Sequence, residues 1–138
     1  MRHGEVVFVD SGAWIALALS RDPLHVQARE QWELLRGAGA RLHTSVSVVI
    51  ETFTFLDRNA HRDVALTWKE AVYKPGTVRI LPCELRDLEQ SWHYFRRGDL
   101  RKLSAVDATS FAIMKRARIR RAFAFDHHFA AVGFGLVA

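Results

Sequence analysis

Cysteine is nearly absent from this sequence. Cys83 is the only one in 138 residues, so no internal disulfide can form and nothing asks for an oxidising compartment. No apolar run is long enough to span a bilayer, and the most apolar tail, Phe129 to Ala138, falls well short. The opening Met1-Arg2-His3-Gly4-Glu5 leads straight into a short apolar run, without the longer apolar core and cleavage site of a signal peptide. These absences imply a cytoplasmic protein. Repeats, low-complexity tracts and linkers long enough to divide domains are also missing, which implies a single domain over residues 1–138. Acidic residues are outnumbered, 15 against 20 Lys and Arg, for a net charge of +5 and a pI of about 10.0. That balance favours a polyanionic partner without saying which.

What is present fits a soluble globular chain: 49% hydrophobic residues and a mean hydropathy of -0.05. The basic charge is uneven. Arg96, Arg97, Arg101, Lys102, Lys115, Arg116, Arg118, Arg120 and Arg121 fall within one short span. Singly, these read as solvated surface or as cations near a helix C-terminus. As a patch, attraction of phosphate competes with that reading.

Val6 to Val9 is a continuous, β-branched apolar run, which predicts a strand buried on both faces. It stops on Asp10. Ser11 and Gly12 allow a tight turn, and Ala13 to Leu19 predicts a helix. Further helices are expected over His25–Arg36, Val46 to about Arg58, Asp63–Lys74, Glu84–Arg97 and Ser104–Arg118. Strands are expected over Arg41–Thr44, Thr77–Leu81, Arg121–Asp126 and Phe134–Val137. Alternating strands and helices imply an α/β fold of three layers around a mostly parallel sheet.

Four acids stand out by position. Asp10 ends the first buried strand, where open α/β sheets place ligands, although capping the next helix explains it equally well. Glu51 shares a narrow polar stripe with Ser47, Thr54 and Arg58 on a helix otherwise covered by Val46, Val48, Val49, Ile50, Phe53, Phe55 and Leu56. That pattern suggests a helix lining a cleft, against the plainer alternative of an exposed Glu51–Arg58 pair. Asp107 follows Ser104 at capping-box spacing. Asp126 ends an apolar strand as Asp10 does, or is an ordinary turn residue. If the two strands are parallel neighbours, Asp10 and Asp126 come close together.

The segments V-F-V-D-S-G-A-W-I-A-L, S-V-S-V-V-I-E-T-F-T-F-L, L-S-A-V-D-A-T-S-F-A-I-M and A-F-A-F-D-H-H-F resemble the four ordered motifs of the PIN-domain nucleases, in particular the small VapC-type toxins of prokaryotic toxin–antitoxin pairs. The resemblance runs from Val6 to Phe134. It implies a three-layer PIN-like fold and an endoribonuclease dependent on Mg²⁺ or Mn²⁺. It also implies a small VapB-like antitoxin as partner, a homodimer, and hydrolysis of RNA to 5′-phosphate and 3′-hydroxyl ends. The acids carried over are Asp10, Glu51, Asp107 and Asp126, as metal ligands and catalytic groups, with Asp10 and Asp107 the most direct ligands. Ser11 matches the hydroxyl residue that often follows the first acid, and Thr109 and Ser110 match polar positions after the third. Gly12 departs from the pattern, which puts a catalytic hydroxyl there in doubt.

The chemistry accounts for the acids. Two carboxylates ~4 Å apart repel by about 4 kcal/mol at an effective dielectric near 20, and a hard divalent cation relieves this through oxygen ligands. Such a cation would activate water and stabilise charge on the transferring phosphate. His127 and His128 invite a zinc site or a histidine base, but no cysteine lies nearby and no H-x-x-x-H spacing supports it; His128 and Phe129 match the common ending of the PIN-domain family, and the resemblance implies a structural or peripheral His128. Asp99 reads as a salt bridge within the Arg96–Lys102 cluster. Trp14, Trp32, Trp68 and Trp92 read as core or interface residues. Two competing functions remain open: an aspartyl-phosphate phosphatase, which Gly12 disfavours because a second acid belongs there, and a catalytically quiet RNA- or protein-binding module.

Overall fold

A computed structural model of the chain describes residues 2–137; Met1 and Ala138, at the ends of the expected domain, lie outside the described residues. Five strands, β1 (Val6–Val9), β2 (Arg41–Ser45), β3 (Arg79–Leu81), β4 (Arg121–Phe123) and β5 (Gly135–Leu136), form one sheet in the order β3-β2-β1-β4-β5. Every pairing is parallel. The helices are α1 (Ser11–Ala18), α2 (His25–Gly37), α3 (Val46–Asn59), α4 (Arg62–Val72), α5 (Leu85–Tyr94), α6 (Ala105–Arg116) and the single turn α7 (His128–Ala131).

The elements follow from local chemistry. β1 is the central strand and needs apolar residues on both faces, and Val7, Phe8 and Val9 are fully buried. The Ser45 hydroxyl accepts the Val48 N–H and starts α3. Glu84 and Asp87 form a reciprocal capping box that starts α5. At the end of α6, Arg118 adopts the left-handed conformation, φ 58°, and Ile119 N–H reaches back to the Met114 carbonyl at 2.8 Å. That is a Schellman-type stop, made here without glycine. The core holds Phe8, Phe111, Phe123 and Phe129, with Phe111 edge-on to Phe129 at 4.9 Å. Trp14 gathers Trp32 and Trp68 at 6.0 and 5.9 Å. Trp92, by contrast, is half exposed on α5, in a stripe with Leu85, Leu88 and Phe95.

Several expectations need correction. No tight turn separates β1 from α1: Asp10 alone makes the corner, with extended backbone at φ -87° and ψ 163°, and Ser11 and Gly12 are already helical. β4 stops at Phe123, so Asp126 lies in the turn beyond it rather than on a strand end. α3 buries Val48, Thr52 and Leu56 and leaves Val46 and Ile50 exposed. The physical reason is that α3 packs against α1, α4 and α6, and the shared contact line follows i, i+4, i+8 through Val48 instead of the most apolar face.

Candidate metal centre

The sheet order fixes where a site can form. The chain leaves β1 for β2 and β3 on one side, then crosses back to lay β4 and β5 on the other. Between β1 and β4 the helical connections diverge, which opens a crevice at the carboxyl ends of those strands. Asp10 stands in that crevice, and its N–H donates to the Phe123 carbonyl at the end of β4 at 3.0 Å. The Asp10 side chain makes no capping bond to α1; it is only 4% exposed, and its Oδ1 has no hydrogen-bond partner.

The other three acids come from separate elements. Asp107 sits in the first turn of α6, 6% exposed, and the Ser104 hydroxyl accepts its N–H at 3.0 Å. Only that half of the expected capping box forms, and the Asp107 carboxyl interacts instead with Asp10 and Asp126. Asp126 accepts the His128 N–H at 2.9 Å. Glu51, on α3, is half-buried and accepts a 2.6 Å hydrogen bond from Ser11 Oγ. Arg58 is exposed and does not pair with it.

The electrostatics register this convergence. Burial, followed by the charges of Glu51 and Asp126, raises the Asp10 carboxyl from 3.8 to about 7, against the pull of the Ser11 and Gly12 backbone N–H groups. Asp107 is pushed up to about 9 by burial, then by Asp10, Asp126 and Glu51. Asp126 moves the other way. Burial works to raise it, but the His128 N–H, the hydrogen bond from Asp107 and the His128 ring together hold it below the ordinary carboxylate value. The pair is therefore polarised, with Asp107 favouring its proton and Asp126 favouring the ionised form.

The donor set suits a hard divalent cation: four carboxylates, two of them raised by burial and then by one another's charge, and a buried orphan oxygen on Asp10. The neighbouring hydroxyls differ in role. Ser11 orients Glu51. Thr109 donates to the Val106 carbonyl of its own helix at 2.7 Å, whereas the Ser110 Oγ is buried without a partner. Asp99 pairs with Arg97 at 2.7 Å, as expected of a local salt bridge.

His128 is structural, in line with the sequence reading, but its partners were not foreseen. Its ring is buried; Nε2 donates to the Arg101 carbonyl at 2.7 Å, and Nδ1 lies 2.8 Å from Asp126 Oδ1. Asp126, His127 and His128 are the one compact cluster of His, Cys, Asp and Glu ligand atoms among the described residues, yet both His128 nitrogens already face oxygen atoms of the protein. The only advance signal was its place two residues after Asp126.

Comparison with known proteins identifies the family. A PIN-domain family model matches residues 7–135. The 23S rRNA-specific endonuclease VapC20 of Mycobacterium tuberculosis, from strains CDC 1551 and H37Rv alike, is 37% identical over 130 residues, covering 94% of this chain and 95% of the relative. The crystal structure of Mycobacterium tuberculosis VapC20, described as a Sarcin-Ricin loop cleaving toxin, superposes with a TM-score of 0.82 at 34% identity, covering 93% of this chain and 95% of the other. The chain belongs to the PIN-domain family and, within it, to the VapC-type ribonuclease toxins.

Proposed function

We propose that this protein is an endoribonuclease toxin that hydrolyses RNA phosphodiester bonds at the pocket formed by Asp10, Glu51, Asp107 and Asp126. The observation that carries the reading is the meeting of four carboxylates at the β1/β4 crevice with an unpartnered oxygen on Asp10. Family membership excludes the aspartyl-phosphate alternative, and the presence of all four acids argues against a quiet binding module.

The VapC-type relatives are divalent-metal-dependent nucleases as a class. Mg²⁺ is the ion proposed here, with Mn²⁺ as substitute, held by the four acids. When bound, it supplies positive charge that polarises water and the scissile phosphate and offsets the charge of the leaving oxygen. The chain's own residues prepare that chemistry. With a cation bound, Asp10 and Asp107 would be ionised, because its positive charge offsets the burial and the repulsion that raised them. Ser11 holds one oxygen of Glu51 and leaves the other uncommitted for water. Asp126 is held towards its ionised form by the His128 N–H and so stays available to the cation beside Asp107. Water oxygen would bond to phosphorus as one of its protons passes to the free Glu51 oxygen, the P–O3′ bond would break, and O3′ would take a proton from solvent water, leaving 5′-phosphate and 3′-hydroxyl ends.

The reading extends to a cytoplasmic toxin that pairs with a small VapB-like antitoxin and forms a homodimer. No helix among the described residues is long and apolar enough to cross a membrane. An apolar cleft of about 740 Å³ between α1, α2 and α4, lined by Trp14, Trp32 and Trp68 among others, has room for a short antitoxin segment. The first test incubates the purified chain with ribosomal RNA. Cleavage that EDTA abolishes and Mg²⁺ restores, with kcat at least about 100-fold lower in Asp10→Asn and Asp107→Asn, is the expected result. Cleavage undiminished by EDTA, or a parental rate in a folded Asp10→Asn chain, would overturn the reading.

A further inference from the structure

The connection between α5 and α6, Phe95 to Leu103, lies at the same pole of the sheet as the four carboxylates. Asp87, in the first turn of α5, pairs with Arg116, in the last turn of α6, at 2.8 Å. The start of α5 is therefore beside the end of α6, the two helices run antiparallel, and their connection sits with the start of α6, where Asp107 stands.

This loop is held in one place. Leu100 and Leu103 are buried beneath it. Lys102 adopts a left-handed backbone, φ 59°, uncommon outside glycine. Arg97 donates to the Ala131 carbonyl at the end of α7 at 3.3 Å. Above all, the buried His128 ring joins the loop to the site, donating from Nε2 to the Arg101 carbonyl at 2.7 Å while Nδ1 lies 2.8 Å from Asp126 Oδ1.

The charge on the loop is not used by the protein. Arg96 to Lys102 carries four cations and one anion, Asp99, and Arg97 occupies that anion. Arg96, Arg101 and Lys102 are exposed and make no ion pair among the described residues. Three free cations on a fixed loop beside an acidic pocket are available to an external anion. A nucleic-acid backbone approaching such a pocket is repelled by the acids, and rim cations offset that repulsion.

We propose that the α5–α6 loop is the phosphate-binding rim of the acidic pocket: Arg96, Arg101 and Lys102 take RNA backbone phosphates beside the scissile one, and His128 fixes the loop's position against Asp126. The inference rests on the nuclease reading and adds where the substrate backbone lies. His128 acts here as a positioning residue.

The test is binding of a fluorescein-labelled, mixed-sequence RNA hairpin to the full chain carrying Asp10→Asn, followed by anisotropy across a salt series. The triple variant Arg96→Ala, Arg101→Ala, Lys102→Ala is expected to bind at least about tenfold more weakly and to lower the slope of log K against log[salt] by roughly 2 to 3, the value for three lost phosphate contacts. A control triple, Arg2→Ala, Arg118→Ala, Arg120→Ala, removes the same charge from the hollow at the amino ends of the strands, lined also by Glu5 and Arg121. It is expected to stay within about twofold of the parent. His128→Ala is expected to weaken binding without removing a surface charge and to add nothing to the loop triple. His128→Gln, whose amide can still donate to the Arg101 carbonyl, is expected to recover most of the loss.

Equal losses from the two triples would replace the rim with general charge attraction and overturn the proposal. An unchanged slope in the loop triple would overturn it too, as would retained RNA binding with loss of an acidic protein partner. If His128→Gln and His128→Ala both bind as the parent does, the tether is refuted. Cleavage by the parental chain in Mg²⁺ is measured alongside. Cleavage by the parent with parental KM in the loop triple sinks the rim and spares the nuclease; no cleavage in any divalent cation sinks the nuclease, and the rim with it.

Discussion

Removing the charge of Asp10 should make the metal-free protein more stable at the same time as it disables the site. The Asp10 carboxyl is 4% exposed, its Oδ1 has no partner, and Glu51 and Asp126 repel its charge, so that folding carries it from 3.8 up to about 7. At about 1.36 kcal/mol per tenfold change in proton affinity, that amounts to about 4 kcal/mol weighing against the native state at pH 8. The direction follows from the native state binding the proton more tightly than the unfolded chain does. The resulting stabilisation is complete below pH 3.8 and is lost as pH rises through about 7. Asp10→Asn removes the charge and keeps the shape. Desolvation of the amide takes back part of the gain, leaving about 2 kcal/mol, or roughly 6–10 °C in Tm for a chain of this size.

The assay is thermal melting by circular dichroism at pH 5 and pH 8, in EDTA and in Mg²⁺. In EDTA at pH 8 the Asn chain should melt higher than the parent, and the gap should narrow at pH 5, where Asp10 is protonated in the native state. In Mg²⁺ the order should reverse, because a cation present at 100 times its Kd adds about 2.7 kcal/mol to the parent and little to the variant. An Asn chain that melts at or below the parent in EDTA at pH 8 would refute the argument that the pocket is held at the expense of the fold.

Other substitutions separate framework from site. Asp87 is 2% exposed, pairs with Arg116 and accepts the Glu84 N–H at 2.9 Å, so Asp87→Ala should cost about 3 kcal/mol in urea unfolding with little change in kcat. Burial works to raise the Asp87 carboxyl, but Arg116 and the Glu84 N–H hold it below 3.8, so its contribution should persist at neutral pH and fade only as pH falls through that depressed value. A Cβ on Gly12 would meet only Asp10 Oδ2, at an ordinary 3.8 Å, and the residue lies within α1; Gly12→Ala should therefore fold and gain up to about 1 kcal/mol of helix stability, with melting as the readout. Ser11→Ala removes the 2.6 Å bond that orients Glu51 and should lower kcat about tenfold while Tm stays close to the parent, as steady-state cleavage and melting would show.

The legible parts of this molecule were those set by short-range rules. The β1 run could only be a doubly buried strand, and both of its bounds are as expected. Ser45 and Ser104 start helices because a hydroxyl before an apolar period satisfies orphan N–H groups wherever it occurs. The first three acids were conspicuous because each sits where an element begins or presents a face. What sequence could not show was set by packing between elements distant along the chain. The burial of Thr52 in place of Ile50 depends on where α1, α4 and α6 meet α3. The exposure of Trp92 depends on α5 having only one covered side. The role of His128 depends on Arg101, far away in the chain, folding back over it.

The position of the acids and the cost of holding them have one cause. A parallel sheet whose strand order reverses beside β1 has a crevice where helices part, and a carboxylate placed there is enclosed before it finds a partner. Val7, Phe8, Val9 and Phe123 surround the corner with fully buried apolar side chains, so Asp10 cannot turn towards water without opening the centre of the core. Asp107 is fixed by the Ser104 cap and by a helix buried from Ala108 to Met114. The burial and the repulsion are therefore preserved by rigid, well-packed elements instead of relaxing away, and it is this preserved cost that a divalent cation offsets on binding. A softer framework would let the acids separate and would weaken the affinity for the cation. On this argument, core substitutions beneath the corner, such as Phe123→Leu, should reduce metal-induced stabilisation more than they reduce the stability of the EDTA-treated protein.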